Sequence, residues 1–229
     1  MIAERIAAIR QRLARACERS GRAGEDVTLV CVTKEATIGQ VIEAIESGGV
    51  TDIGENRVQE AVRKQEALRR GDIKWHMIGH LQSNKVKKAV EIFDIIHSVD
   101  TVELAGRLDR ILAEYPAEER YPVFIEVNAA REESKYGFSS DEETIAGIRQ
   151  IAQYRRVAVT GLMTMAPFNV DPEASRPYFS RLRRLRDTIN TMGIPDLTIE
   201  HLSMGMSQDF EVAVEEGATM VRVGSAIFK

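Results

Sequence analysis

The chain has 229 residues, 44% hydrophobic and 29% charged, a composition that fits a soluble globular protein able to bury one sizeable core as a single domain over 1–229. A net charge of -4 with dispersed basic residues argues against a nucleic-acid footprint. No apolar stretch approaches membrane-spanning length and the charged start at Met1 lacks the apolar segment of a secretory signal, so a cytoplasmic protein without a membrane partner is expected.

In chain order, Ile2, Ile6, Ile9 and Leu13 step by four, three and four residues and predict an amphipathic helix over 2–19 that stops at Gly21. Cys17 on that helix and Cys31 beyond it are too few and too widely spaced for a disulfide framework or a zinc site, and read as structural. Strand-like apolar runs follow at 28–33, 50–54, 73–78, 92–99, 122–127, 157–163, 197–202 and 219–223. Between them lie helical spacings: Ile38, Val41, Ile42, Ile45; Leu104, Leu108, Ile111, Leu112; Ile145, Ile148, Ile151; Phe179, Leu182, Leu185, Ile189. Strands alternating with helices over this length predict an α/β fold, a (β/α)8 TIM barrel with an extra N-terminal helix, rather than an open doubly wound sheet. Gly48, Gly49, Gly71, Gly193 and Gly217 fall where helices end, as C-terminal caps would.

In such a barrel the strand exits converge on the carboxyl face, here at Lys34, Glu55-Asn56, Gly79-His80, Asp100, Asn128, Met163-Thr164, Ser203-Met-Gly205 and Gly224-Ser225. Lys34 closes the run from Thr28 to Thr33, where a lysine is a surface side chain, an ion-pair partner or, if partly desolvated, a neutral amine that condenses with an aldehyde. Ser203, Gly205 and Ser207 leave the seventh strand and Gly224-Ser225 the eighth; this is the recurring phosphate site of the barrel, although Ser207 alone reads equally as a helix N-cap. Arg222 sits inside an apolar strand, so it either pairs with a carboxylate such as Glu200 or turns into the site toward a ring nitrogen. Lysine, phosphate turn and arginine together describe a site for pyridoxal 5'-phosphate.

Other signals are weaker. Asn56 either bonds a cofactor hydroxyl or caps the helix after it, and His76, beside Trp75, reads more readily as a satisfied core histidine than as a ligand. The cluster Lys85, Lys87, Lys88 and the arginines 181, 183, 184 and 186 read as solvated helix faces. Lys135 is plain surface or a second amine near the mouth, so that it and the Lys85 cluster are the candidates for a secondary anion site.

The segments Val32-Thr-Lys34, Ile53-Gly-Glu-Asn56, Trp75-His-Met-Ile-Gly79-His-Leu-Gln82, Gly161-Leu-Met163-Thr-Met165, Leu202-Ser-Met-Gly-Met-Ser-Gln-Asp209 and Val221-Arg-Val-Gly-Ser-Ala-Ile-Phe228 closely resemble those of the pyridoxal-phosphate homeostasis proteins, single-domain relatives of the alanine racemase barrel. The resemblance runs almost end to end and departs mildly at Thr33, Arg57, Ser225 and Lys229. It implies a Schiff base on Lys34, a phosphate among Ser203, Gly205, Ser207, Gly224 and Ser225, Arg222 at the pyridine nitrogen and Asn56 beside the ring. His76, Met165 and Met206, in the same segments, complete the cofactor-binding set. The implied function is a monomeric, non-catalytic carrier that buffers the cofactor and delivers it to apo enzymes. Racemisation needs proton transfer on both faces of a carbanion, and Lys34 serves one; only five residues follow Gly224, so the second domain that supplies the other group in racemases is expected to be absent. A pyridoxal-phosphate-dependent racemase, or a barrel enzyme for another phosphorylated metabolite, are the alternatives.

Overall fold

The computed structural model describes residues 1–23, 26–116, 119–132 and 136–229. Helix α1 (Ile2–Arg19) precedes strand β1 (Thr28–Val32), and the chain then runs through α2 (Ile38–Glu46), β2 (Asp52–Glu55), α3 (Val58–Leu68), β3 (Lys74–Met77), α4 (Val86–Ile92), β4 (Ile95–Val99) and α5 (Val102–Leu112). The second half carries β5 (Tyr121–Glu126), α6 (Asp141–Ile151), β6 (Val157–Met163), α7 (Arg176–Thr191), β7 (His201–Ser203), α8 (Phe210–Glu215), β8 (Met220–Val223) and α9 (Ser225–Phe228). The strands form a closed parallel barrel in sequence order, with β8 returning to β1 from Thr28↔Met220 to Cys31↔Val223. The expected (β/α)8 barrel with an additional first helix is what is found.

Apolar side chains fall in two sets because strand residues alternate between faces. The larger set packs the helices onto the outside of the sheet, and α1 joins it by burying Ile2, Ile6, Ile9, Leu13, Ala16 and Cys17. Each buried aliphatic side chain of that stripe is worth about 1.5–3 kcal/mol relative to exposure. The smaller set, Val30, Ile95, Phe124, Met163 and Met220, lies inside the barrel. The same parity carried two residues onward points Val32, Met165 and Arg222 along the axis, then Lys34 and Gly224 at the mouth.

Several local expectations differ from the structure; the strand expected from 92, for one, starts at Ile95 because Ile92 ends α4. Strand β7 begins at His201 and not at 197, because the side chain of Asn190 takes both backbone groups of Ile199: its Nδ2 donates to the carbonyl at 3.0 Å and its Oδ1 accepts from the N–H at 2.9 Å. The left-handed residue that ends α3 is Arg69, at φ 48°, and not Gly71, whereas Gly49, Gly193 and Gly217 do adopt positive φ. A short helix, α9, follows Gly224 where only a turn was expected.

Candidate functional site

A cavity of ≈ 420 Å³ opens at the carboxyl end of the strands, within the usual range for a small-molecule site. Lys34, Asn56, Met165, Met206, Ser207, Arg222, Gly224 and Ser225 all line it, so barrel closure gathers eight of the predicted residues from five different strand exits. Phe168, Ile78 and Val32 supply much of its apolar wall.

Lys34 follows β1 by two residues and its amine makes no hydrogen bond or ion pair with any described residue. It is exposed, so the desolvation expected at a strand exit is not provided by the walls. Asn56 is half-buried and its amide is likewise unpartnered; it does not cap α3, whose N-cap is Arg57 without a side-chain bond. The backbone of Asn56 is held by close approach: a Cβ on Gly79 would come within 2.5 Å of its carbonyl oxygen.

Across the cavity, Ser207 is not the cap of α8. Its hydroxyl accepts from the backbone N–H of Gly224 and of Ala226, both at 3.3 Å, and so joins the turn after β7 to the first turn of α9. Two N–H donors converging on one oxygen are the arrangement an anion uses. Arg222 is 4% exposed and does not pair with Glu200; one Nη donates to Ser203 Oγ at 2.6 Å and the other to the Thr164 carbonyl at 2.8 Å. Burial pulls its guanidinium down to about 10, against the raising influence of Glu126 and Asp209. It therefore stays cationic at neutral pH and can only donate.

Three predicted residues stand away from the cavity wall. His76 is fully buried with both ring nitrogens engaged, Nδ1 2.9 Å from His97 Nε2 and Nε2 2.9 Å from Asp52 Oδ1, which is the satisfied core histidine and not a ligand at the mouth. Ser203 is buried beneath Arg222, and Gly205, at φ +90°, gives its carbonyl to the Arg222 N–H at 3.0 Å while packing on α8, where a Cβ would come within 2.5 Å of Ala213. Of the secondary candidates, Lys87 and Lys88 are paired with Glu114 and Glu91, and Lys135 lies outside the described residues.

The model of the alanine racemase N-terminal domain matches residues 5–229. A pyridoxal phosphate homeostasis protein of Aquifex aeolicus is 40% identical over 229 residues, covering 98% of this chain and 96% of that protein. The chain belongs to the pyridoxal phosphate homeostasis protein family. A structure of a family member from Synechococcus elongatus, PipY, with PLP bound superposes with a TM-score of 0.85 at 37% identity, each chain covered in full. An alanine racemase of Clostridium difficile superposes at a TM-score of 0.75 but is 16% identical and only 56% covered, and shows the shared barrel alone.

Beyond the residues read from the sequence, this family member carries buried polar groups that the sequence reading did not single out. Lys64, on α3, is 1% exposed; its amine donates to Glu55 Oε1 at 2.5 Å and to the carbonyl of Thr33, whose hydroxyl donates to the same carboxylate oxygen at 2.5 Å. The backbone just before Lys34 is thereby tied to β2 and α3. Its signal was the spacing Val58, Ala61, Lys64, which puts a lysine on the apolar stripe of the helix. Glu126, at the end of β5, is 4% exposed; burial and then the charge of Asp100 push its carboxyl up to about 7, despite the pull of Arg222. Asp100 itself meets His80 at 3.0 Å, with Tyr136 stacked on the imidazole at 3.8 Å.

Proposed function

We propose that this chain binds pyridoxal 5'-phosphate reversibly in the carboxyl-end cavity, with Lys34 as its covalent anchor, and passes it to apo enzymes without turning over a substrate. The observation that carries this reading is the meeting, in one cavity, of a free amine, a buried guanidinium that can only donate, and two backbone N–H groups that converge on Ser207. The residues fit the cofactor. Lys34 would take the aldehyde, losing one water; Ser207, Gly224 and Ser225 would hold the phosphate, Arg222 would face the pyridine nitrogen, and Asn56, Met165 and Met206 would border the ring. Of the rest of the expected set, Ser203 and Gly205 act through Arg222 rather than by contact, and His76 is withdrawn from it.

When bound, the cofactor supplies an aldehyde and an electron sink; what the chain adds decides whether that sink is used. A cationic Arg222 would donate to the ring nitrogen and has no proton acceptor to offer, so it would leave the ring unprotonated and poorly suited to stabilising a carbanion. Lys34 would give the aldehyde back on addition of the one water lost in condensation, so release would need no further reagent. A single domain over 1–229 acting as a monomer in the cytoplasm completes the reading; among the described residues no helix is long and apolar enough to cross a membrane.

The test is the visible absorption spectrum of purified protein titrated with pyridoxal phosphate, followed by borohydride reduction and peptide mapping. A visible band and label on Lys34 are expected; a colourless protein, or label elsewhere, would overturn the anchor. Handover is tested by mixing loaded protein with an apo enzyme that requires the cofactor, where transfer no faster than free release counts against delivery.

A further inference from the structure

Beneath Arg222 runs an uninterrupted line of hydrogen-bonded side chains, buried except at its Asp52 end. Arg222 reaches Ser203 Oγ at 2.6 Å, Ser203 Oγ lies 2.9 Å from His97 Nδ1, His97 Nε2 lies 2.9 Å from His76 Nδ1, and His76 Nε2 lies 2.9 Å from Asp52 Oδ1. Each contact joins residues of different strands, from β8 through β7, β4 and β3 to β2. Asp52 and Asn56 are four residues apart on and just beyond β2, so the line descends roughly 13 Å from the cavity toward the amino end of the barrel. There Asp52 lines a second cavity of ≈ 390 Å³. The line meets the inner apolar set at Phe124, whose ring lies 4.3 Å from that of His97.

With His76 as a neutral imidazole, a single direction of hydrogen bonding satisfies every group in it. Burial by itself would raise the Asp52 carboxyl, but hydrogen bonds from His76 and Thr51, with the charge of Lys74, outweigh it and hold it below the usual carboxylate range. Asp52 is therefore an acceptor, and His76 must carry its proton on Nε2. Burial, and after it the charge of Arg222, pushes His97 well below the usual histidine range, so it is neutral. With Nδ1 of His76 left as acceptor, His97 donates from Nε2, accepts at Nδ1 from the Ser203 hydroxyl, and Ser203 accepts from Arg222. Four groups thus point their donors one way, from a guanidinium at the cavity to a carboxylate that accepts at the opposite end. Aligned bonds in a low-dielectric interior polarise one another, so the guanidinium has a fixed acceptor without a carboxylate in contact.

We propose that His97, His76 and Asp52 are positioning residues for the cofactor: their aligned chain locks the Ser203 hydroxyl as acceptor and so sets which edge of Arg222 faces the ring. The proposal rests on the pyridoxal phosphate reading for what Arg222 touches, but the alignment itself is a property of the free protein.

Two measurements test it. In cofactor-free protein, long-range proton–nitrogen NMR of labelled imidazoles is expected to find His76 and His97 neutral and protonated on Nε2; a proton on Nδ1 of His97 would overturn the alignment. For the coupling, His76→Gln keeps one donor and one acceptor, whereas His76→Leu keeps neither. Titration of each with pyridoxal phosphate, with denaturation midpoints measured on the same samples, is expected to leave His76→Gln near the parent and to weaken His76→Leu by about fivefold with a displaced visible band. Asp52→Asn, a milder change at a partly exposed residue, is expected to move the band in the same direction. Equal affinity and spectrum in parent and His76→Leu, or a loss shared by both His76 variants in step with lost stability, would overturn the positioning role. A parent protein that binds no pyridoxal phosphate fails the cofactor reading instead, and the imidazole tautomers still report on the chain.

Discussion

Lys34 and Lys64 present the same amine on opposite sides of β1, and their surroundings differ in every respect that matters to an amine. Lys34 ends in a cavity, exposed and without a partner among the described residues. Lys64 ends in the layer between sheet and helix, bonded to Glu55 and to the Thr33 carbonyl. An amine that is to accept an aldehyde needs an approachable nitrogen, and one that is to hold a fold needs its charge matched in place. The difference lies in what the fold withholds: Lys34 is left with an approachable nitrogen, while Lys64 fixes the backbone from which Lys34 springs.

Exchanging each lysine in turn gives the largest effects and tests the division directly. Lys34→Ala is expected to abolish the visible band and the borohydride label while changing stability by less than about 0.5 kcal/mol, as befits an exposed side chain. Lys64→Met is expected to cost about 3–5 kcal/mol in denaturant unfolding, since Glu55 is left charged and buried with one oxygen already lacking a hydrogen bond. Replacing both partners, as in Glu55→Leu with Lys64→Met, removes the stranded charge and is expected to regain most of that loss. A Lys64→Met protein as stable as the parent would break the comparison, because the pair would then be no anchor.

Glu126 sharpens the same contrast, being a buried ionisable group that was given no ion pair. Its carboxyl makes no hydrogen bond with a described residue, and its pKa stands at about 7 instead of the ordinary 4.5. The folded chain therefore binds a proton more tightly than the unfolded chain. Its contribution to stability is full below pH 4.5 and is lost as pH rises toward and through 7. From the size of the shift, the parent should lose up to about 3 kcal/mol between pH 5 and pH 8 that Glu126→Gln does not lose. Parallel pH profiles of the two proteins in denaturant unfolding would remove Glu126 from the account.

Much of this was legible in the chain because parallel strands repeat one simple rule. Alternation along β1 and β8 leads from Val30 to Lys34 and from Met220 to Gly224, so that barrel closure alone brings the amine, the arginine and the turn after β8 together. What stayed hidden depends on contacts between elements distant in sequence. His97 looks like any polar residue in an apolar run until closure of the barrel sets β4 beside β3 and across from β7, and only then does His76 change from a candidate ligand into the middle of a chain. Lys64 was hidden for a similar reason: its stripe position is visible, but the carboxylate that makes burial tolerable belongs to β2. The late start of β7 turns on one side chain, Asn190, bonding a backbone across a loop, which no periodicity announces.

The smallest effect concerns the rim beside Lys34. Glu35 pairs with Lys229 at 2.9 Å, both exposed and both on the cavity lining. Exposed pairs add little to folding, so Glu35→Gln should leave the denaturation midpoint unchanged. Its electrostatic consequence is different: removing a negative charge at the entrance, and freeing the Lys229 ammonium, makes the rim more attractive to an anionic ligand. The binding rate for pyridoxal phosphate should rise by about twofold at low ionic strength and return to the parent value near 0.15 M salt, where screening acts over about 8 Å. Stopped-flow absorbance at two salt concentrations reads this. A rate unchanged at low salt would mean that the phosphate does not enter past Glu35, and that Lys34 is approached from the Phe168 side of the cavity.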